Sequence, residues 1–233
     1  MKVLVTGSEG LIGSSLSIAL SRLGITTLGF DNKLEPHHPY YGDILNYEQV
    51  TEAINDVEGV VHLAAVSRVV FGEKNPKLCW DTNVEGTKHI LEAALASPKK
   101  PWVLYASSRE VYGQQEELPV KETAPLMPVN IYGDSKIAAE KAVENATQRG
   151  LKASVVRFSN VFGSVCDHSD RVIPAFCLAA AHGTRIRIDG KDNLFDFTYI
   201  DDVVQGILSF MYQLSQNDDP LPPIHFTMGQ ATS

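Results

Sequence analysis

The 233-residue sequence contains only three cysteines, Cys79, Cys166 and Cys177. An odd number at these wide spacings fits neither a disulfide framework nor a zinc-binding pattern, so we expect no metal site and a cytoplasmic protein. An excess of positive charge is also lacking, because 20 Lys and Arg face 28 Asp and Glu, for a net charge of −8. This balance excludes a strongly basic nucleic-acid-binding protein.

Long apolar runs are absent as well. The longest, Val172–Ala181, contains a proline and is far shorter than the roughly 20 residues that span a bilayer, so no membrane segment is predicted. No charged leader precedes the apolar run that begins at Lys2, so we expect no secretion. With 44% hydrophobic and 21% charged residues, the chain has the composition of a packed globular protein.

Short apolar runs rich in β-branched residues alternate with segments of helical periodicity. The predicted strands are Lys2–Thr6, Ile25–Phe30, Gly59–Leu63, Trp102–Ala106 and Ala153–Phe158. The predicted helices are Leu11–Leu23, Tyr47–Ile54, Pro76–Ala96 and Ile131–Gln148. This alternation predicts an α/β fold with a parallel sheet that is covered by helices on both faces.

Three glycines, Gly7, Gly10 and Gly13, lie between the first predicted strand and helix in TGSEGLIG. Glycine allows a tight turn and close approach of the backbone to a pyrophosphate at the helix N-terminus. Asp31 ends the second strand, where a carboxylate accepts hydrogen bonds from an adenosine ribose and repels a 2′-phosphate. Each motif alone also fits an ordinary turn, but together they predict a dinucleotide site that prefers NAD to NADP.

Tyr132 and Lys136 are four residues apart in YGDSK and share one face of a predicted helix. An ammonium group beside the phenol, with an oxidised nicotinamide, would lower the tyrosine pKa from its usual value of about 10 and suit proton transfer. Ser107 and Ser108 end the fourth strand, at the sheet edge where ligands bind. Ser108 lacks the G-x-S-x-G motif of a nucleophilic serine, which argues against a hydrolase.

Together with HLAA at 62–65, NVEGT at 83–87, RFSNVFG at 157–163 and FDFTYIDDV at 195–203, these motifs resemble the extended short-chain dehydrogenases/reductases, specifically the NAD-dependent epimerase/dehydratase group that acts on nucleotide sugars. The resemblance covers nearly the whole chain. It implies a Rossmann-type, doubly wound parallel sheet that binds NAD over residues 1–160. Residues 161–233 would supply the remaining sheet elements and a small, shortened substrate lobe. It also implies a homodimer and a nucleotide-sugar substrate.

The resemblance implies that Tyr132 is the catalytic base, that Lys136 binds the nicotinamide ribose, that Ser108 is the catalytic hydroxyl and that Asn160 contacts substrate. In this family, the tyrosine removes a proton from the sugar 4-hydroxyl while hydride passes to NAD, which gives a 4-keto intermediate. We expect an epimerase, which returns hydride to the opposite face. The other residues expected to bind NAD are Leu11, Ile12, Asn32, Asp43, Ile44, Leu63, Ala64, Ala65 and Asn83.

Two departures from the family pattern leave alternatives open. Glu110 lies where related dehydratases and decarboxylases have a catalytic glutamate, but Arg109 replaces the aspartate of the dehydratase pattern. Phe195 replaces an arginine that contacts the nucleotide diphosphate in the family, and a phenyl ring cannot make those hydrogen bonds. The alternatives to an epimerase are therefore a decarboxylase or dehydratase that uses Glu110, and a non-catalytic NAD-binding regulator.

Other polar residues receive structural interpretations. His62 is expected to be a structural neighbour of the cofactor. Arg171, Arg185 and Arg187 could contact a phosphate, although we expect each of them to be a solvated surface residue. The Pro-containing segments Leu34–Tyr41 and Glu116–Pro128 lack a regular period, and we expect such loops to lie over the ligand site of an open α/β sheet.

Overall fold

The computed structural model describes residues 1–188, 190–217, 219 and 221–233. Within these ranges the strands are β1 (Lys2–Thr6), β2 (Thr26–Phe30), β3 (Gly59–His62), β4 (Trp102–Ser108), β5 (Ala153–Phe158), β6 (Asn160–Phe162), β7 (Phe195–Tyr199), β8 (Ile224–Phe226) and β9 (Ala231–Thr232). The α-helices are α1 (Leu11–Arg22), α2 (Tyr47–Ile54), α3 (Val69–Lys74), α4 (Pro76–Trp80), α5 (Gly86–Ala96), α6 (Ile131–Gln148), α7 (Val172–His182) and α8 (Ile200–Gln216). A π-helical turn (Asp81–Glu85) joins α4 to α5, and a 3₁₀ turn (Arg109–Tyr112) follows β4.

Six parallel strands form the central sheet in the order β2-β1-β3-β4-β5-β8. In the register of β1, Leu4 pairs with Leu28 on one side and Val60 on the other. Apolar side chains of α2, α5 and α6 pack on one face of the sheet, and those of α1 and α8 pack on the other. The predicted Rossmann-type, doubly wound fold is thus confirmed.

Asparagine caps set the start of helices α2 and α6. Asn46 accepts hydrogen bonds from the backbone N–H groups of Glu48 and Gln49 and begins α2. Asn130 accepts one from the backbone N–H of Gly133, at 2.8 Å, and begins α6. Because an N-cap fixes the first turn, Asn130 places Tyr132 at the N-terminal end of α6, where this helix meets the end of β4.

The prediction of one helix over Pro76–Ala96 is wrong, because the π-helical turn divides it into α4 and α5. The backbone N–H of Gly86 bonds the carbonyl of Asp81, five residues earlier, so one extra residue is accommodated in the turn. The hydrophobic pattern continues through such a turn and does not reveal it. The short helix α3 and the 3₁₀ turn were also not predicted, since neither is long enough to show a period.

Beyond β5 the chain adds a helix and a strand to the central sheet and forms a second, smaller sheet. Helix α8 buries seven residues against the central sheet, and β8 extends that sheet beside β5. The smaller sheet has the order β6-β7-β9, with α7 beside it in sequence but without a buried residue. No helix in the described parts of the chain is long and apolar enough to cross a membrane.

The last residue of β3 gives the fold a predicted acid sensitivity. Burial lowers the pKa of His62 to about 3, whereas its ordinary value is 6.5. Between these pH values the unfolded chain binds more protons than the folded one, so the free energy of unfolding decreases as the pH is lowered from 6.5, by about 4 kcal/mol at pH 3. Urea unfolding should show a shallower pH dependence for His62→Gln than for the wild type, whereas the exposed His37→Gln should keep the wild-type slope. Equal slopes for His62→Gln and the wild type would contradict this account.

Candidate active site

A cleft of about 630 Å³ lies at the carboxyl ends of the first five strands. Residues that end or follow β1, β2, β3, β4 and β5 contribute to its wall, which is where ligands bind in open parallel sheets. Most predicted site residues line it: Gly7, Gly10, Leu11, Ile12, Gly13, Asp31, Asn32, Ile44, Leu63, Ala64, Ala65, Ser108, Glu110, Tyr132, Lys136 and Asn160. Asp43 and Asn83 are not among the lining residues.

The glycine loop fits closely between β1 and the wall of the cleft. Gly7 has φ +70°, and a Cβ atom there would lie 2.8 Å from the backbone nitrogen of Ala64. A Cβ on Gly13 would lie 2.1 Å from the carbonyl oxygen of Gly7. Gly10 begins α1, so the free N–H groups of this helix and its dipole are at the cleft wall. This cradle, which any side chain would fill, suits a pyrophosphate group.

Asp31 is buried at the end of β2, with 6% of its surface exposed. Its carboxylate accepts hydrogen bonds from the backbone N–H groups of Glu9 and Lys33, both at 2.9 Å. These bonds fix the carboxylate in the cleft wall, and each oxygen keeps lone pairs for a ribose hydroxyl. Asp43, by contrast, accepts a bond from the backbone N–H of Leu45 at 2.9 Å and shapes the adjoining loop.

Tyr132, Lys136 and Ser108 come together on the opposite side of the cleft. The first two lie one turn apart on the buried face of α6, and Ser108 ends β4. The Lys136 ammonium donates a hydrogen bond to the carbonyl of Ala106 at 2.8 Å and lies 5.8 Å from the ring centroid of Tyr132. The structure therefore places a phenol, an ammonium and a hydroxyl group in one water-poor corner.

Burial is the largest influence on the pKa values of Tyr132 and Lys136. Burial raises the pKa of Tyr132 to about 12, and a hydrogen bond with Ser108 opposes part of that increase. Burial lowers the pKa of Lys136 to about 8. The sequence leads to the expectation of a lowered tyrosine pKa, but in the protein alone the desolvation of the phenolate is the larger effect. Tyr132 is therefore protonated at neutral pH in the unliganded protein.

Both carboxylate oxygens of Glu110 are engaged with neighbouring side chains. Asn130 donates an amide hydrogen to Oε2 at 3.0 Å, and Nη2 of Arg109 lies 3.0 Å from Oε1. The guanidinium carbon of Arg109 also lies 5.6 Å from the ring centroid of Phe195. Arg109 thus lies beside Phe195, which stands where the family has an arginine. Arg109 also lines the cleft.

The segment 164–171 forms a part of the cleft wall that the sequence analysis missed. Cys166, Asp167, His168 and Arg171 line the cleft, and Arg171 pairs with Asp167 at 3.1 Å. Arg171, which was expected on the surface, thus belongs to the cleft wall, with 31% of its side chain exposed. Segments 34–41 and 116–128 contribute no lining residue, so the expected cover over the site is not formed by them. The short polar stretch SVCDHSDR has no period that would have revealed its position.

A salt bridge connects this segment to the β3 side of the cleft. Arg68 donates hydrogen bonds to both carboxylate oxygens of Asp170, at 2.6 and 2.8 Å. The Arg68 guanidinium carbon also lies 4.8 Å from the ring centroid of Phe71, which contacts the ring of His168 edge-on. These contacts hold the two sides of the cleft together at its rim.

A buried ion pair lies next to the corner formed by Tyr132, Lys136 and Ser108. Glu140, one turn after Lys136, binds the guanidinium of Arg157 through both carboxylate oxygens, at 2.9 and 2.6 Å. Ser107 donates to the same carboxylate, and Tyr112 bonds to both Arg157 and His225. This cluster was not predicted from the sequence, although a glutamate on the apolar face of a predicted helix was a usable signal.

Comparison with known proteins agrees with this geometry. The sequence model of the NAD dependent epimerase/dehydratase family matches residues 3–226. A UDP-glucose 4-epimerase from Lacticaseibacillus casei is 31% identical over 91% of this chain and 72% of the relative. UDP-glucuronate 4-epimerase 6 from Arabidopsis thaliana is 32% identical over 88% of this chain, which spans 50% of that relative. The crystal structure of UDP-glucose 4-epimerase from Brucella ovis in complex with NAD matches the whole chain with a TM-score of 0.90 at 25% identity. The match covers 79% of the Brucella ovis chain.

The family match, the parallel sheet and the glycine cradle at its carboxyl edge all support the same assignment. They confirm the resemblance to extended short-chain dehydrogenases/reductases that the motifs predicted. The chain belongs to the NAD-dependent epimerase/dehydratase family.

Proposed function

We propose that this chain is a nucleotide-sugar 4-epimerase that works through a transient 4-keto sugar. The observation that carries the proposal is the convergence of Tyr132, Lys136 and Ser108 in the cleft that also contains the glycine cradle. Similarity to UDP-glucose and UDP-glucuronate 4-epimerases supports it. A non-catalytic NAD-binding regulator would have no need for this buried trio.

The residues of the cleft divide into cofactor-binding and reacting groups. Bound NAD would supply a hydride acceptor. The glycine loop and the N-terminus of α1 would hold its pyrophosphate, and Asp31 its adenosine ribose. The Lys136 ammonium would bind the other ribose and favour the phenolate of Tyr132. Tyr132 would then take the proton of the sugar 4-hydroxyl, while Ser108 fixes that oxygen by a hydrogen bond.

Two features support binding of a phosphorylated sugar. Asn160 has a buried side-chain nitrogen without a hydrogen-bond partner among the described residues, and it lines the cleft. A buried donor without a partner is costly, and a substrate oxygen would satisfy it. Arg109 and Arg171 also line the cleft, and we propose that their guanidinium groups face the diphosphate in the absence of an arginine at position 195.

The neighbour of Glu110 supports an epimerase over a dehydratase. Arg109 stands where the dehydratase pattern has an aspartate, and its guanidinium lies 3.0 Å from Oε1 of Glu110. The substitution Glu110→Gln distinguishes the two activities, because it should abolish elimination or decarboxylation but reduce epimerisation by less than about tenfold.

Proton NMR of the purified protein with NAD tests the proposal directly. The panel contains UDP-, dTDP-, GDP- and CDP-sugars, with UDP-glucose, UDP-galactose and UDP-glucuronate first. The expected result is a new anomeric signal from the 4-epimer of one substrate. A 4-keto, dehydrated or decarboxylated product would support the alternative. Silence across the panel, with NAD binding confirmed by calorimetry, would overturn the epimerase and favour the regulator.

Asp31 gives a prediction about cofactor choice. Its carboxylate should repel the additional phosphate of NADP, and Asp31→Asn removes the charge while keeping one acceptor oxygen. We expect this substitution to reduce the preference for NAD over NADP by about tenfold, as a loss of roughly 1.4 kcal/mol implies. Calorimetric titrations with both cofactors measure it. The control Glu35→Gln removes a charge from an exposed position nearby and should leave the preference for NAD unchanged. If the wild type bound NAD and NADP with equal affinity, the role of Asp31 would be contradicted.

A further inference from the structure

A chain of buried hydrogen bonds runs behind the cleft, from β1 to the π-helical turn. The backbone N–H of Ala64 donates to Oγ1 of Thr6 at 3.2 Å, and this hydroxyl lies 2.7 Å from Nδ1 of His62. The other ring nitrogen of His62 lies 3.0 Å from Oγ1 of Thr87. Thr87 in turn donates to the backbone carbonyl of Asn83 at 2.6 Å. The four side chains are each at most 1% exposed.

One arrangement of protons satisfies every group in this chain. The single hydroxyl proton of Thr87 points to Asn83, so Thr87 must accept a hydrogen bond from Nε2–H of His62. The other nitrogen of His62 is then an acceptor, and the hydroxyl of Thr6 donates to it. Thr6 keeps a lone pair for the N–H of Ala64. The bonds therefore run in one direction, and His62 is neutral with its proton on Nε2.

Asn83 extends the chain to the catalytic helix. Its amide group bonds to both backbone polar atoms of Val66, accepting at 2.8 Å and donating at 3.1 Å. Its second amide hydrogen goes to Oγ of Ser135 at 2.9 Å, and Ser135 donates to the carbonyl of Tyr132 at 2.7 Å. The π-helical turn that contains Asn83 is of a type often found at functional sites. The Thr6 end of the chain thus holds the cleft wall at Ala64, and the Asn83 end holds it at Val66 together with the turn that contains Tyr132.

We propose that Thr6, His62, Thr87, Asn83 and Ser135 form a hydrogen-bond relay that positions the cleft wall at 64–66 against Tyr132. His62, Thr87 and Asn83 are positioning residues, because none of them lines the cleft. Continuity of the relay sets both the affinity for NAD and the rate of turnover. The part that concerns turnover depends on the proposed epimerase function, whereas the part that concerns NAD affinity does not.

Two substitutions at the centre of the relay separate positioning from packing. Thr87→Val keeps the volume but removes the hydroxyl, and Thr87→Ser keeps the hydroxyl but removes a methyl group. We expect Thr87→Val to weaken NAD binding by about tenfold, as measured by calorimetry, and Thr87→Ser to bind within about twofold of the wild type. The ratio of turnover rates should follow the same order. A packing role predicts the reverse order, and this result would overturn the proposal.

A double-mutant cycle tests whether the two ends act together. Thr6→Val and Ser135→Ala remove hydroxyl groups that are separated by His62, Thr87 and Asn83. If the relay is continuous, the double variant should bind NAD no more than about twofold more weakly than the weaker single variant. Independent sites would instead multiply their effects, and this outcome would contradict the relay. Circular dichroism and thermal unfolding identify variants that fail to fold. Because NAD binding requires no sugar substrate, failure of the epimerase assay leaves this test intact.

Discussion

Replacing Tyr132 with phenylalanine is expected to reduce sugar turnover by about 1,000-fold, the usual contribution of a positioned acid or base. In the proposed function the phenol takes the proton of the sugar 4-hydroxyl, and the substitution removes only its oxygen. Affinity for NAD should change by less than about threefold, since the ring and its packing remain. The measurement is the initial rate of epimer formation, followed by NMR or a coupled assay.

The control for Tyr132→Phe is Tyr112→Phe, which removes a hydroxyl from another buried tyrosine. Tyr112 does not line the cleft, and its hydroxyl bonds to Arg157 and His225. This variant should lose stability, because Arg157 and His225 lose a buried partner, but keep turnover within about tenfold of the wild type. If Tyr132→Phe kept more than about a tenth of the wild-type rate, Tyr132 would not be the base.

The substitution Gly13→Ala is expected to weaken NAD binding by more than about 100-fold. A Cβ atom at this position would lie 2.1 Å from the carbonyl oxygen of Gly7, so the loop must move away from α1. Alanine in a helix is otherwise favourable by roughly 0.5–1 kcal/mol, so the loss is specific to this close approach. Calorimetry measures the affinity, and circular dichroism checks the helix content.

Gly24→Ala provides the matched comparison for Gly13→Ala at the other end of α1. Gly24 has φ +70° and open space around the added Cβ, so this substitution strains the backbone without touching the cradle. It should lower the free energy of unfolding by about 1–2 kcal/mol and leave NAD affinity unchanged. Equal losses of NAD affinity in both variants would mean that the helix as a whole, and not the cradle, determines binding.

Much of the fold follows from local sequence. The strand Lys2–Thr6 and the helices Tyr47–Ile54 and Ile131–Gln148 have the predicted bounds. Each helix start has a strong local cause, an asparagine cap before an amphipathic segment, and β1 is an apolar run that ends at a glycine. The π-helical turn has no such cause, because its extra residue is stabilised by bonds from Asn83 to distant partners. Its position depends on tertiary structure.

The candidate site could be predicted only in part from the sequence, because some of its residues are brought together by tertiary structure alone. Motif residues such as Gly7, Asp31 and Tyr132 lie at strand ends or helix starts, so the topology brings them together. The segment 164–171 reaches the cleft through Arg68 and Asp170, a pair 102 residues apart that no spacing rule connects. The raised pKa of Tyr132 also required the structure, since burial of the phenol is a property of the packed chain.

Strand β8 has a consequence for how the protein is made. It pairs with β5, about 70 residues earlier, so the edge of the central sheet stays open on the ribosome until nearly the whole described chain has emerged. His225 on this strand bonds to Tyr112, which binds the Arg157 of the buried ion pair. The Rossmann core can therefore collapse during translation before the hydrogen bonds around Arg157 are complete. Slow synthesis of the segment that contains β8 would leave a nascent chain with an exposed strand edge for chaperones to protect.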